Sequence, residues 1–260
     1  MKSALLSVQG LTLTVGSAPR MLCRDLDFSL RPGELVGLLG RNGSGKTTLL
    51  KTLAGIRMPE AGRVFFGGRS ADTIPARSRA CLLALALSAR LSDGVLNGGE
   101  FVALGRWPHT PWHGKLSAQD HAFIRRALEI TGTEALAELP MSRLSDGERQ
   151  KLGLARALAQ ETSLLLLDEP LSHLDAPSRL YEMALLKRLA EEEGRAVLFS
   201  CHDLDLAFHS AHRLLVLLPG GGWFCGSPSE VAAHGASRET LGLTAAPWFM
   251  QGWGGLQPSP

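Results

Sequence analysis

Short apolar runs alternate with longer amphipathic segments along the chain, a pattern typical of strands and helices that follow one another. The predicted strands are Leu11–Val15, Leu26–Leu30, Leu35–Leu39, Arg63–Phe66, Arg79–Ser88, Leu164–Leu167, Ala196–Ser200, Arg213–Leu218 and Trp223–Cys225. The predicted helices are Lys46–Ala54, Ala118–Thr131, Asp146–Gln160 and Pro177–Glu193. This alternation favours an α/β fold with a mostly parallel sheet, helices on both faces, and an antiparallel flank formed by the early strands.

The segment from about 92 to 150 has a different character. Its helical patterns surround a turn-rich stretch at Arg106–Trp112, which predicts a helical insertion between two halves of the sheet. We assign residues 1–235 to one domain and residues 236–260 to a C-terminal tail. The last part of this tail is rich in Gly and Pro and is expected to be loop or weakly ordered.

Composition narrows the class of protein. The 260 residues suffice for one α/β domain with an insertion. A net charge of +2 gives no argument for a nucleic-acid partner. No apolar run approaches the roughly 18–20 residues of a membrane span, and the N-terminus carries no export signal. The cysteines are widely separated and fit a reduced, cytosolic protein.

The segment Gly40–Thr47 has the spacing of a phosphate-binding loop, and it lies between a predicted strand and a predicted helix. Glycines allow backbone N–H groups to turn towards phosphate oxygens. Lys46 is expected to reach the β- and γ-phosphates, and Thr47 to offer its hydroxyl to Mg²⁺. The alternative is a glycine-rich turn without a ligand. The predicted nucleotide-binding residues here are Gly40, Arg41, Asn42, Gly43, Ser44, Gly45, Lys46, Thr47 and Thr48.

Two acidic residues, Asp168 and Glu169, follow the apolar strand Leu164–Leu167. A phosphate loop needs a carboxylate near the metal and a group that orients water. We expect Asp168 to hold Mg²⁺ and Glu169 to act as the general base. A strand-end turn with two solvated acids is the alternative.

With these motifs, the chain resembles the nucleotide-binding subunits of ATP-binding-cassette (ABC) transporters over residues 4–232. The sequence Leu144–Gln150 is similar to the family signature, and Ser172–Asp175 to the loop that crosses the dimer interface. His202 resembles the switch histidine. The fold implied is a P-loop NTPase core with a helical subdomain that carries the signature.

The resemblance implies a head-to-tail homodimer that sandwiches ATP. The phosphate loop of one subunit would hold the nucleotide, while Ser145 and Gly147 of the second copy cap the γ-phosphate. Asp175 would also lie at this nucleotide interface. The implied cofactors are ATP and Mg²⁺, with Thr47 and Asp168 at the metal. The implied catalytic residues are Glu169, His202 and Lys46.

A further resemblance concerns Glu100–His109, which is similar to a segment of ATPases that drive uptake of iron–siderophore complexes, haem or cobalamin. It implies contact with a transmembrane permease, and indirectly with an extracytoplasmic solute-binding protein. The subunit would be peripheral, at the cytoplasmic face of the membrane. A plain surface turn is the alternative for this segment.

Several positions depart from the family pattern. Ser88 stands where the family has a metal-contacting Gln, and Val15 where it has an aromatic residue that stacks on adenine. The signature carries Asp146 and Glu148 instead of Gly and Gln. Two other functions therefore stay open: a degenerate cassette that only binds nucleotide, and a non-transport ABC-type regulatory ATPase.

Overall fold

The computed structural model describes residues 3–16, 19–87, 95–111 and 114–243. The strands are β1 Leu6–Val15, β2 Arg20–Leu30, β3 Leu35–Gly40, β4 Ala61–Phe66, β5 Arg69–Ser70, β6 Leu83–Ala86, β7 Leu164–Leu167, β8 Ala196–Ser200, β9 Arg213–Leu217 and β10 Trp223–Gly226. The helices are α1 Lys46–Leu53, α2 Ala76–Ala80, α3 Gly98–Ala103, α4 Ala118–Thr131, α5 Asp146–Ala159, α6 Ala176–Glu191, α7 Leu204–Ser210, α8 Pro228–Ala233 and α9 Gly235–Leu241.

The strands form two sheets. In the larger sheet the order is β10-β9-β3-β8-β7-β6, and only the edge strand β10 runs antiparallel to its neighbour. The smaller sheet is antiparallel, with the order β2-β1-β4-β5. The predicted α/β class, with a mostly parallel sheet and an antiparallel flank, is confirmed.

The central strand β3 is buried on both faces, as its continuous apolar sequence predicts. Side chains of a strand alternate between its two faces. Leu35 and Leu39 accordingly pack into the core beneath α5 and α6, whereas Val36 and Leu38 pack into the core shared with α1 and the antiparallel sheet. This double burial fixes the carboxyl end of β3, from which the phosphate loop emerges.

The predicted strand at Arg79–Ser88 is wrong in its first part. Arg79 belongs to α2, and its guanidinium donates hydrogen bonds to the carbonyls of Ala71, Ile74 and Gly55. These bonds hold the chain in a turn before the strand begins. Pairing with β7 is confined to Leu83–Ala86. The apolar sequence favours a strand over the whole segment. It does not show that the hydrogen bonds of Arg79 keep the first residues of the segment out of the sheet.

The sequence analysis missed the three short helices after β8. Each follows a residue whose side chain accepts a hydrogen bond from the first turn: Asp203 for α7, Ser227 for α8 and His234 for α9. Ser237 and Leu243 are buried, so the packed core extends into residues assigned to the C-terminal tail. The domain division itself stays a prediction.

The helical segment around α3, α4 and α5 packs on the edge of the parallel sheet. Helix α4 spans the predicted Ala118–Thr131, and α5 ends one residue before the predicted Gln160. In the ranges that the structure describes, no helix combines the length and the apolar content that a bilayer crossing requires.

Candidate nucleotide site

The loop between β3 and α1 has the geometry of an anion cradle. Gly40 ends β3, and Gly45 precedes α1 with a left-handed φ of 100°. No side chain caps α1, so its first backbone N–H groups are left for another acceptor. Unsatisfied N–H groups and the helix dipole together favour an anion at such an end.

Glycine is required at two positions of this cradle. A Cβ atom on Gly40 would lie 2.7 Å from Ser44 Oγ, and one on Gly45 would lie 2.6 Å from the side chain of Leu22. Ser44 Oγ is itself buried without a hydrogen-bond partner in the described part of the chain. An orphaned hydroxyl inside a ring of N–H groups fits a phosphate ligand, which supplies acceptor oxygens.

Lys46 is the first residue of α1, and only 6% of its surface is exposed. Its Nζ donates to Gly40 O at 3.1 Å. Burial lowers the pKa of the Lys46 ammonium group, while the nearby carboxylates of Glu169 and Asp168 oppose that shift. The lysine is therefore held by the loop and directed towards the carboxyl ends of β3 and β7.

A chain of three polar residues links α1, β7 and β8. Thr47 Oγ1 donates to Asp168 Oδ2 at 2.6 Å, and Ser200 Oγ donates to Asp168 Oδ1 at 2.7 Å. Asp168 is 2% exposed. A hydroxyl and a carboxylate side by side are hard oxygen donors, and Mg²⁺ takes few protein ligands when it also binds phosphate. These residues therefore fit the predicted magnesium site.

Glu169 and His202 meet at the open edge beside this chain. His202 Nε2 lies 2.5 Å from Glu169 Oε1, and both side chains are partly exposed. Glu169 has a left-handed φ of 51°, which costs a residue with a side chain about 1–3 kcal/mol. The neighbouring structure enforces this conformation, since Glu169 N donates to Ser200 Oγ at 2.8 Å.

The carbonyl of Glu169 is also held. Gln150 of α5 donates to it at 3.0 Å, and the hydroxyl of Ser172 donates at 2.9 Å. Gln150 ends the predicted signature and Ser172 begins the predicted interface loop, but the contacts of both with Glu169 were not predicted. Ser200 was not predicted as a site residue, and its place two residues before His202 was the available signal.

The signature residues lie at the N-terminus of α5. Ser145 caps the helix and forms a reciprocal capping box with Glu148. Hydrogen bonds from Ser145 lower the pKa of Glu148. Asp146 forms an exposed ion pair with Arg149 at 3.1 Å. Asp146 and Glu148, which depart from the family pattern, both find partners within the first turn of α5. Their negative charge is also favourable at the N-terminus of a helix.

Gly147 and Asp175 lie close to the loop that follows Glu169. A Cβ atom on Gly147 would lie 2.8 Å from His173 O. Asp175 caps α6 by accepting from Ser178 N at 3.1 Å, and the side-chain and backbone hydrogen bonds of Ser178 lower the pKa of Asp175. Among the described residues, no hydrogen bond joins Ser145, Gly147 or Asp175 to the phosphate loop of the same chain.

Of the two positions at which the family has an adenine-stacking aromatic residue and a metal-contacting Gln, the structure describes only the first, Val15. Val15 ends β1, where it is partly buried against the antiparallel core and pairs with Arg20. The guanidinium of Arg20 in turn donates to Gly43 O of the phosphate loop. Ser88 lies outside the described residues.

The segment Gly105–His109 combines a buried and an exposed side chain. Arg106 is buried in an ion pair with Asp120 at 2.8 Å, and hydrogen bonds from Ser117 contribute most to lowering the pKa of Asp120 to about 2. Trp107 is 67% exposed. Arg77 of α2 donates to Pro108 O and fixes the segment from the other side.

Comparisons with known proteins identify the family of this chain. The family described as ABC transporter matches residues 23–172. The chain is 38% identical to the iron(3+)-hydroxamate import ATP-binding protein FhuC of Bacillus subtilis over 208 residues, which cover 80% of this chain and 77% of that protein.

Two solved structures extend the comparison. An inward-facing ABC transporter assigned to the metal-chelate type has a TM-score of 0.77 at 28% identity, covering 88% of this chain and 85% of that one. A dimeric ATP-binding cassette bound to ADP and Pi in a post-hydrolysis state has a TM-score of 0.74 at 25% identity, covering 83% and 95%.

Proposed function

Because this chain belongs to the ABC transporter family and is an ABC-type ATPase, we propose that it energises an importer of metal chelates of the iron–siderophore, haem or cobalamin type. The observation that carries the ATP-hydrolysing part of this proposal is the contact between Glu169 and His202 at 2.5 Å, near Lys46 and the Thr47–Asp168 pair. The names of similar proteins support the solute class, since one imports iron(3+)-hydroxamate and another is assigned to the metal-chelate type.

In the proposed hydrolysis, ATP and water give ADP and inorganic phosphate. The oxygen of the attacking water forms a bond to the γ-phosphorus, and Glu169 takes the proton that this water loses. The bond between the γ-phosphorus and the bridging oxygen breaks, and that oxygen leaves with ADP. His202 holds the Glu169 carboxylate and contacts the γ-phosphate. Lys46 and the N–H groups before α1 stabilise the charge that develops on the phosphate oxygens.

Thr47 and Asp168 would hold Mg²⁺ at the same edge. Held by these two side chains, Mg²⁺ would supply positive charge that offsets the negative charge of the phosphates. Ser200 orients Asp168 through the 2.7 Å hydrogen bond and Glu169 through its backbone. One serine therefore sets the positions of both the metal-binding carboxylate and the general base.

The active unit in this proposal is a head-to-tail homodimer. Ser145 and Gly147 make no hydrogen bond to the phosphate loop within the described residues, so their proposed role requires the loop of a second copy. The dimeric cassette of similar fold supports this arrangement. Asp175, exposed at the start of α6, is proposed to lie at the same interface.

The exposed face around Trp107 is the proposed docking site for a permease. Leu82 and Leu104 are 39% and 46% exposed, and Arg77 and Cys81 both contact Pro108 O. Exposed apolar side chains near a segment that these contacts hold suit the docking of a partner element. The proposed location is peripheral, at the cytoplasmic face of the membrane, and a solute-binding protein would act through the permease.

Hydrolysis is tested with Glu169→Gln. The amide cannot accept the proton, so steady-state ATP turnover is expected to fall by about 100-fold or more. The variant should retain ATP and form an ATP-dependent dimer, measured by size-exclusion chromatography. Glu192→Gln, at an exposed position of the α6 end, is the matched control and should turn over like the wild type. Equal turnover in the wild type and Glu169→Gln would overturn the assignment.

The solute class is tested in cells that lack the gene for this chain. Uptake of radioactive iron supplied as a ferric hydroxamate, of haem, or of cobalamin should be lost. The wild-type gene should restore it, and the gene for Glu169→Gln should not. Unchanged uptake of all three chelates would contradict the importer proposal while leaving ATP hydrolysis intact.

A further inference from the structure

The C-terminal helix α9 lies beside the phosphate loop. Thr240 borders a cavity of about 450 Å³ together with Arg41, Asn42 and Ser44. Thr240 and Leu241 also border a second cavity, of about 420 Å³, which contains Arg41, Asn42 and His202. Both volumes lie in the range of small-molecule sites. Thr240 is therefore at the boundary between two cavities that flank the same two loop residues.

The position of α9 is set by core packing. Leu243, just after the helix, is 2% exposed, and Ser237 on its first turn is fully buried. His234 accepts from Ser237 N, and its ring stacks on Phe224 of β10 with the centroids 4.0 Å apart. A helix fixed at both ends can serve as a rigid wall.

The loop residues that face this wall have few restraints of their own. Arg41 and Asn42 are exposed, and neither side chain makes a hydrogen bond within the described parts of the chain. The hydroxyl of Thr240 donates to Ala236 O at 2.7 Å, which fixes its rotamer and leaves its methyl group and lone pairs towards the surroundings. A fixed side chain opposite a weakly restrained loop limits the positions that the loop can adopt.

We infer that α9, through Thr240 and Leu241, is a further part of the nucleotide site and positions the Arg41–Asn42 end of the phosphate loop for ATP. This inference rests on the proposed function of that loop. Thr240 is a positioning residue, since it does not border the cavity that contains Glu169, although His202 borders both that cavity and the second one. A small change at Thr240 should therefore alter ATP affinity and leave unchanged the proton transfer assigned to Glu169.

The test compares the same substitution at neighbouring positions of α9. Thr240→Trp places a large side chain where both cavities meet and crowds the Arg41–Asn42 end of the loop, so the Kd for a fluorescent ATP analogue should rise at least about 10-fold. Glu239→Trp, at the exposed neighbouring position, should change the Kd by less than about twofold. Thermal unfolding without nucleotide should give both variants the midpoint of the wild type, within about 2 °C.

A smaller substitution at Thr240 distinguishes loss of a positioning side chain from obstruction of the site by a bulky one. Thr240→Ala shortens the side chain that borders both cavities without adding bulk, and it should raise KM for ATP about threefold at an unchanged kcat. Equal Kd values for the wild type and Thr240→Trp would overturn the inference, as would a Thr240→Ala variant that lowers kcat at an unchanged KM. Lys46→Ala serves as the reference. If it also retained full ATP affinity, the proposed function would fail, and not only the role of α9.

Discussion

Two regions of the molecule contain residues that are predicted to bind nucleotide. The two regions differ in where their side chains find hydrogen-bond partners. At the carboxyl ends of the parallel strands, Thr47, Asp168 and Ser200 are joined by hydrogen bonds of 2.6 and 2.7 Å within one chain. At the N-terminus of α5, Ser145 and Glu148 satisfy each other, and no described hydrogen bond reaches the phosphate loop. The first region is assembled within one chain, whereas we propose that the second contacts nucleotide only when another copy of the chain supplies the phosphate loop.

The two regions are nevertheless connected through α5. Gln150 donates to the carbonyl of Glu169, and Lys151 Nζ contacts Ser178 Oγ of α6 at 3.0 Å. The helix that presents the signature therefore also fixes the backbone of the proposed general base. A displacement of α5 by a bound partner would reach Glu169 through this direct contact.

The largest expected effect concerns the region assembled within the chain. Lys46→Ala should weaken ATP binding by at least about 100-fold, because it removes a buried cation directed at the phosphates. Lys51→Ala, in the last turn of the same helix α1, is the matched control and should bind like the wild type. Isothermal titration calorimetry with ATP measures both. Unchanged affinity in Lys46→Ala would rule out the phosphate-loop assignment.

The next prediction tests whether one nucleotide site is formed by the phosphate loop of one chain and the α5 N-terminus of another. In a Glu169→Gln background, Lys46→Ala and Ser145→Asp should each abolish the ATP-dependent dimer. A mixture of the two variants contains one intact loop and one intact signature, so it should form a dimer that retains about one ATP. Size-exclusion chromatography with radioactive ATP measures the stoichiometry.

The control for this mixture is the fold of Ser145→Asp. Asp is as favourable an N-cap as Ser, but its carboxylate would face that of Glu148, which accepts from Ser145 Oγ at 2.7 Å, so the unfolding midpoint should fall by only a few degrees while the circular dichroism spectrum stays that of the parent. The added charge opposes the phosphates of the partner's nucleotide. If the mixture forms no dimer although both variants are folded, the head-to-tail arrangement is contradicted.

The smallest predicted effect lies where α6 meets α5. Glu182 is 1% exposed, and neither of its carboxylate oxygens has a hydrogen-bond partner in the described part of the chain. Burial raises the pKa of Glu182 from 4.5 to about 7, although the charge of Lys151 opposes this shift. Between these two values the unfolded state ionises while the folded state stays protonated, so this group lowers stability as pH rises.

Glu182→Gln removes that titration. The free energy of unfolding of the variant relative to the wild type should therefore rise by about 1–3 kcal/mol between pH 5 and pH 8. Urea denaturation followed by circular dichroism at each pH measures it. Glu192→Gln, at an exposed position, should show no such trend. Parallel pH curves for the wild type and Glu182→Gln would contradict the assignment of a protonated, buried Glu182.

Local sequence determined most elements and the order of the motifs. The strands Leu164–Leu167 and Ala196–Ser200 and the helix Ala118–Thr131 follow from apolar spacing, and their predicted bounds match the structure. The loop Gly40–Thr47 and the pair Asp168–Glu169 were found for the same reason: the residues of each are consecutive, and their neighbours predict the right elements. A short-range pattern suffices when the chemistry itself is local.

Only the tertiary structure decided which distant residues meet. Ser200 is an ordinary strand residue in the sequence, but the parallel pairing of β7 with β8 brings it to Asp168 and Glu169. Thr240 borders the same cavity as Arg41 and Asn42 because α9 packs on the core through Leu243 and Ser237. Such contacts depend on strand order and core packing, which a pattern along the chain does not encode. The sequence by itself therefore determined the consecutive motifs that we propose to bind phosphate and metal, and the packed fold decided which distant residues contact them.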